Sequence, residues 1–195
     1  MSKLVVLVTG TPCVGKTSAA LLLATKLDAL YINLTDLALQ NGLVKEKDEK
    51  RDTLIIDERA MRKTLGNLID KTDKKAVVVD GHYAVNVVPS GQATYVFVLR
   101  RDPVELREFM KERGFSNAKL MENLAAEILD VCLVDALNAR TNAKTCELDV
   151  TGKAKEEIVN TMLEAMANPD KCCVGVVDWL GKLENEGLLD EFLKI

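Results

Sequence analysis

The stretch Leu4-Val5-Val6-Leu7-Val8-Thr9-Gly10-Thr11-Pro12-Cys13-Val14-Gly15-Lys16-Thr17-Ser18 decides the fold. Leu4 to Val8 is a short apolar run rich in β-branched residues, which predicts a buried strand. Gly10 to Thr17 then fits the spacing G-x-x-x-x-G-K-[ST]. A chain that wraps a phosphate with its N–H groups turned inward needs glycine at the strained ends, here Gly10 and Gly15. Lys16 brings a point charge to the outer phosphate oxygens, and Thr17 offers a hydroxyl to Mg2+. A helix predicted from Lys16 to about Leu27 adds the positive end of its dipole. The strand before and the helix after are the context that separates such a cradle from a decorative Gly-rich turn.

Working outward, Ala29–Leu34 reads as a second strand and Asp36–Gln40 as a short helix closed by Asn41-Gly42. Lys45 to Asp52 are eight charged residues in succession, which reads as a solvated loop or mobile arm. Met61, Leu65, Leu68 and Ile69 recur at helical spacing. Ala76–Val79 is a third strand ending in Asp80-Gly81-His82, and Tyr95–Leu99 a fourth. Asp102 caps the next helix, with Pro103 at its first position and Glu105 at the capping-box spacing. After Arg113-Gly114, a helix starting at Ser116 or Asn117 carries Leu120, Leu124, Ile128 and Cys132 on one face. Thr145–Val150 reads as a fifth strand at an edge. A helix with Ile158, Met162, Ala165 and Met166 follows, broken by Asn168-Pro169-Asp170. A tail helix over 170–195 shows Val176, Trp179, Leu180 and Leu183 on one face. Strands separated by helices require parallel crossovers. The expected class is therefore α/β: a P-loop NTPase fold in one domain over residues 1–195, an open parallel five-stranded sheet with helices on both faces.

Composition narrows the function. The chain has 195 residues, with 26 Lys+Arg against 30 Asp+Glu and one His, a formal charge of −4. That balance excludes a bulk nucleic-acid binder. Hydrophobic residues at 48% exclude general disorder, and aromatics at 4% leave Val, Leu, Ile and Ala to fill the core. No apolar run is long enough to span a membrane, Met1-Ser2-Lys3 with Leu4–Val8 is too short for a signal peptide, and the scattered cysteines suit a reducing cytosol, so a cytoplasmic protein is expected. The five cysteines are odd in number and scattered, without a CxxC pair. Neither a disulfide framework nor a zinc knuckle is expected, and Cys172-Cys173 reads as the lead-in to a helix.

Other candidate groups follow from the strand order. Asp80 is a carboxylate delivered to the end of a buried strand beside the cradle, where it can hold a magnesium-bound water. His82, two residues on, is a candidate for orienting water or handling a proton. Arg113, between two helices, suits a lid that neutralises the transferring phosphoryl group or stacks on adenine, a reading the architecture favours over a cation placed only to suit a helix C-terminus. Thr35–Arg59 is where an acceptor would dock, with Lys45, Lys47, Lys50, Arg51 and Arg59 as available cations. Thr151-Gly152-Lys153 is a candidate adenine-side loop.

Taken together, Gly10–Ser18, Tyr31-Ile32-Asn33-Leu34-Thr35-Asp36-Leu37-Ala38, Asp57-Glu58, Val77-Val78-Val79-Asp80-Gly81-His82, Val96–Arg100 and Arg113-Gly114-Phe115 follow one pattern in order. The pattern resembles the adenylate kinase isoenzyme six (nuclear adenylate kinase) family, in its archaeal form, from residue 3 to about 165. The resemblance implies a broad nucleoside monophosphate kinase with ATPase activity, using Mg2+ with ATP. It also implies a role in late maturation of the small ribosomal subunit through its platform ribosomal protein S-eleven. It carries ATP ligands onto Cys13, Gly15, Lys16, Thr17, Ser18 and Arg113, and a Walker-B-like pair onto Asp80 and His82. The catalytic set is then Lys16, Asp80, His82 and Arg113, with Thr17 and Asp80 holding Mg2+, partly through water. The NMP-binding segment falls on 33–56, with Asn33, Asp36 and Asp57 as ligands, and the lid on 112–122. Two departures stand out: a family Arg that meets the acceptor phosphate is Leu39 here, and the usually acidic acceptor loop carries Lys45, Lys47, Lys50 and Arg51. Cys13 also stands where a third glycine is frequent, and its N–H is expected to face inward with φ negative.

Three readings stay open from sequence: a kinase converting MgATP and AMP to two ADP, an ATPase switch in ribosome assembly, and a small-metabolite kinase of the shikimate or gluconate type.

Overall fold

The computed structural model describes residues 3–48, 53–139 and 141–193. The chain runs β1 (Leu4–Thr9), α1 (Lys16–Lys26), β2 (Leu30–Asn33), α2 (Leu34–Gln40), β3 (Val44–Asp48), β4 (Thr53–Ile56) and α3 (Glu58–Lys71). It continues with β5 (Ala76–Asp80), α4 (Ala84–Val87), β6 (Tyr95–Arg100), α5 (Pro103–Glu112), α6 (Asn117–Ile128) and α7 (Val131–Asn138). β7 (Lys144–Asp149), α8 (Lys155–Ala167), a 3-10 turn at Pro169–Lys171, α9 (Trp179–Asn185) and α10 (Leu189–Phe192) complete it. The main sheet has the order β2-β5-β1-β6-β7, and all its pairings are parallel. The expected five-stranded parallel sheet is thus the observed one, with β7 at an edge.

The period-2 alternation of strand side chains divides the core into two layers. Val6 and Val8 of β1, Val78 of β5 and Phe97 and Leu99 of β6 face α1, α5, α6 and α8. Val5 and Leu7, Val77 and Val79, and Val96 and Val98 face α2, α3, α4 and α7. Every second residue enters one layer, so a strand buried on both sides reads as continuous Val and Leu rather than as an alternating pattern. No helix among the described residues is long and apolar enough to cross a membrane.

The structure corrects the sequence reading at several points. Val44–Asp48 is not a loop but one strand of an antiparallel hairpin with β4, irregular between Val44 and Glu46. The ladder bonds are made by the backbone, so charged side chains that remain in water do not prevent them. Glu49, Lys50, Arg51 and Asp52 lie outside the described residues. The helix expected to run through Cys132 stops at Ile128, and Asp130 adopts φ 58° before α7 begins. The break lets the chain pass from the α6 layer to the α7 layer, which puts Cys132 against the opposite core from Leu120 and Leu124. Asp102 caps α5 through the Val104 N–H at 2.7 Å, but Glu105 does not complete the box. Its carboxylate instead pairs with Arg101 and accepts from the Gly152 N–H at 3.0 Å. In the tail, Trp179 and Leu183 are buried, whereas Val176 precedes α9 and Leu180 faces solvent. Four residues, α4, escaped the sequence reading because one turn of helix is too short to show a period. The expectation of unpaired cysteines is also corrected: Cys146 and Cys172 form a disulfide, Cα atoms 4.6 Å apart, while Cys173 is free and exposed. The two residues come together only because the chain after α8 folds back along β7.

Candidate nucleotide site

The cradle sits at the C-terminal end of β1, in the middle of the sheet. Gly10 has φ 137°, and a methyl group there would be driven into the Leu99 carbonyl. Gly15 has φ 103° and caps α1. Cys13 departs from expectation: its φ is +73°, in the left-handed region that favours glycine. A side chain is tolerated there at a strain of about 1 kcal/mol. The Lys16 ammonium curls back to donate to the Thr11 carbonyl at 2.8 Å. Crowding by the cradle lowers its pKa from the ordinary lysine value, while Asp80 acts in the opposite sense. Thr17 and Ser18 lie in the first turn of α1 with exposed side chains.

Asp80 ends β5 and is almost wholly buried. Its Oδ2 accepts from Thr17 Oγ1 at 2.7 Å, Tyr31 OH at 3.0 Å and Asn33 Nδ2 at 3.0 Å. Asn33 also caps α2, its Oδ1 accepting from the Thr35 and Asp36 N–H groups at 3.0 and 3.1 Å. One amide therefore aims a donor at Asp80 and orients α2. Burial, reinforced by Asp80, pushes the Tyr31 pKa up to about 12, so the phenol remains a donor. Tyr31 belongs to the motif quoted from the sequence, but its hydroxyl's contact with Asp80 was not legible there.

His82 lies beyond Asp80, its carbonyl accepting from Thr9 Oγ1 at 3.0 Å. The ring reaches the solvent of a large cleft, yet the walls crowd it. That crowding, followed by the charges of Lys16 and Lys119, lowers its pKa to about 4, with Asp80 opposing. The imidazole is neutral at physiological pH. The cleft measures about 1180 Å³ and begins at Thr11 and Pro12. One wall is formed by Thr35 and Ala38 of α2 and by Thr53–Ile56, and the other by 113–116 and α6 residues including Lys119. Lys119 Nζ donates to Thr53 Oγ1 at 2.6 Å, joining the two walls. Arg113 Nη1 lies 3.8 Å from Cys13 Sγ, which places its guanidinium over the cradle.

The remaining predicted groups are not brought to the cleft. Asp57 caps α3 through the Ala60 N–H at 3.0 Å and pairs with Lys45 at 3.5 Å. Those contacts hold its pKa below the usual carboxylate value, with the Ala60 N–H the largest cause. Asp36 is exposed in the first turn of α2, and Leu39 is exposed on the same helix. Thr151-Gly152-Lys153 is tied to the start of α5, where Thr151 Oγ1 accepts from the Asp102 N–H at 2.9 Å. Glu127, on the buried face of α6, is a functional candidate the sequence reading missed. A carboxylate seven residues after Leu120 on an apolar face was the available signal, since such groups are rarely buried without partners.

Sheet order, cradle and buried strand-end carboxylate define a protein of the P-loop NTPase class. A family model described as an AAA domain matches residues 6–130. The chain is 41% identical over 177 residues to a protein of Pyrococcus furiosus named "Putative adenylate kinase", covering 90% of this chain and 91% of that one. It is 41% identical to the protein of that name from Thermococcus kodakarensis, covering 90% and 93%. The chain belongs to this adenylate-kinase-like family. In shape it is similar to shikimate kinase from Acinetobacter baumannii, with a TM-score of 0.59 over 86% of this chain and 94% of that one; at 14% identity the likeness concerns the fold alone.

Proposed function

We propose that the protein is a nucleoside monophosphate kinase of broad specificity, converting MgATP and AMP to two ADP. The observation that carries this reading is the contact of Thr17 with Asp80 beside Lys16, next to the loop whose Thr11 and Pro12 line a cleft with a second wall. At about 1180 Å³ the cleft exceeds the roughly 300–1,000 Å³ that holds one small ligand. The names of the family's archaeal members support the same reading.

Gly10–Thr17 and the N-terminus of α1 hold the ATP phosphates, and Cys13, Gly15 and Ser18 contribute through the loop's backbone and first turn. Because the Thr17 hydroxyl gives its proton to Asp80, its oxygen lone pairs stay free to meet a cation. An oxygen-only set of this kind fits magnesium, held by Thr17 directly and by Asp80 through water. When bound, the ion supplies charge neutralisation at the β- and γ-phosphates. Lys16 and Arg113 stabilise the charge on the transferring group. The acceptor needs no general base, because an AMP phosphate oxygen is already ionised at neutral pH. The acceptor nucleotide docks along segment 33–56, with Asn33 holding α2 in place and Asp36 and Asp57 shaping that segment. Residues 112–122 act as the lid, and Lys119 to Thr53 is its latch.

A second reading has one specific observation in its favour: His82 is a neutral imidazole beside Asp80, suited to orienting water. Water as acceptor makes the protein an ATPase. The resemblance extends that activity to late maturation of the small ribosomal subunit, with ribosomal protein S-eleven as partner. ATP turnover measured with and without AMP, then with that ribosomal protein, decides between them. Strong dependence on AMP supports the kinase. Turnover indifferent to nucleoside monophosphates but raised by the protein supports the switch and sinks the kinase reading.

A further inference from the structure

Glu127 receives more donors than any other carboxylate described near the cradle, and they come from three parts of the fold: the P-loop, the end of β6 and the tail. Its Oε2 accepts from Thr11 Oγ1 of the P-loop at 2.5 Å. Its Oε1 accepts from Arg100 Nε at 2.9 Å, the Arg101 N–H at 3.0 Å and Trp179 Nε1 at 3.1 Å. The carboxylate is about 1% exposed, so these bonds are not exchanged with water. Arg100 is held in turn by Glu147 at 2.6 Å, by Asp130, and by the Glu127 carbonyl at 2.8 Å. Burial alone would lower the Arg100 pKa, but Glu127 and Asp130 raise it above the ordinary value, so the guanidinium is a permanent cation.

The tail joins this network at two carboxylates. The Val176 N–H donates to Glu147 Oε2 at 2.9 Å, and Trp179 donates to Glu127. Leu183 and Phe192 bury themselves in the core layer that also receives α1 and α6. On the other side of Glu127, Thr11 presents its carbonyl to Lys16 at 2.8 Å. A chain of direct contacts therefore runs from the tail indole through one carboxylate to the residue that holds the phosphate-binding lysine.

We infer that Glu127 is a positioning residue for the P-loop, and that residues 176–192 act through it as part of the nucleotide-binding machinery. The inference rests on the proposal that Gly10–Thr17 binds ATP phosphates. The physical reason is that Thr11 is fixed by a charge-assisted bond in a dry environment, where such bonds are strong and networks are more than pairwise. Removing a donor at the far end of the carboxylate lets it turn toward its remaining partners, and the Thr11 hydroxyl loses its best geometry. The cradle's amides must then be reordered by the nucleotide, which weakens binding without touching the transferring atoms.

The test is titration calorimetry and steady-state ATP turnover on the full chain. Thr11→Val is expected to weaken MgATP binding about tenfold, and Thr11→Ser to restore it, as befits one charge-assisted hydrogen bond. Trp179→Phe keeps an aromatic ring and removes the N–H; the lost buried bond lowers the melting temperature, and binding measured well below that transition is expected to weaken roughly threefold. In both variants KM for ATP rises more than kcat falls. Combined with Thr11→Val, Trp179→Phe is expected to add nothing further, because its effect passes through Thr11. If Trp179→Phe binds MgATP like the native chain, or if the two effects simply add, the inference is overturned. Glu127→Gln is a supplementary variant; should it not fold, the Thr11 and Trp179 cycle decides alone. A native chain that binds no MgATP at all defeats the proposed function itself, an outcome distinct from equal binding by all variants.

Discussion

Thr17 Oγ1 donates to Asp80 Oδ2 at 2.7 Å, joining the first turn of α1 to the end of β5. β1, the strand that leads into the cradle and α1, lies directly beside β5, with Val8 opposite Asp80 in the parallel register. Asp80→Ala removes the acceptor shared by Thr17, Tyr31 and Asn33. We expect a loss of about 1–2 kcal/mol of stability, because the acceptor is buried while its part-exposed donors can turn to water, read by urea unfolding. Asp80→Asn is expected to recover much of that stability while magnesium-dependent turnover stays depressed.

Lys16 makes its contact through one ammonium group, and no other lysine side chain among the described residues bonds to the cradle. Lys16→Ala is expected to lower both AMP-dependent transfer and ATP hydrolysis by a hundredfold or more, since charge stabilisation of the transferring group is its task. Retention of either activity near the native level would contradict the assignment.

His82 provides a pH prediction whose sign follows from its lowered pKa of about 4 against an ordinary 6.5. Between those values the unfolded chain binds the proton more readily than the folded one, so stability falls as pH drops from about 6.5 to about 4 and levels off below. Above pH 6.5 the effect is absent. As pH is lowered from 7 to 4, the melting temperature of the native chain should fall relative to that of His82→Asn, which has no ring to protonate. His82→Ala is further expected to reduce ATP hydrolysis more than AMP-dependent transfer; equal losses would refute its role in orienting water.

Cys13 and Gly10 test the cradle's backbone from opposite directions. Cys13→Gly relieves a left-handed residue at φ +73° and is expected to raise stability by about 0.5–1 kcal/mol with MgATP binding retained. Gly10→Ala forces a methyl group against the Leu99 carbonyl and is expected to destabilise the chain by several kcal/mol, enough to abolish soluble expression or binding. Unfolding midpoints of the two variants on opposite sides of the native value are the expected result.

The amino-acid sequence alone determined the parallel sheet, the cradle from Gly10 to Thr17, and the delivery of Asp80 and His82 to a strand end. Each depends on local pattern: β-branched runs, glycine spacing, and the alternation of strand with helix. Tertiary structure alone decided what those groups touch. Tyr31 and Asn33 meet Asp80 because β2 lies beside β5, and Asp57 is spent on capping α3 rather than facing the cleft. Charged Val44–Asp48 became a strand once β4 returned to pair with it, and Cys146 met Cys172 when the chain folded back along β7. Glu127 reaches Thr11, Arg100 and Trp179 across 116, 27 and 52 residues of sequence. A pattern read along the chain records which face a residue occupies, but a hydrogen bond depends on angstrom-scale distance and direction, and those exist only after distant segments have packed.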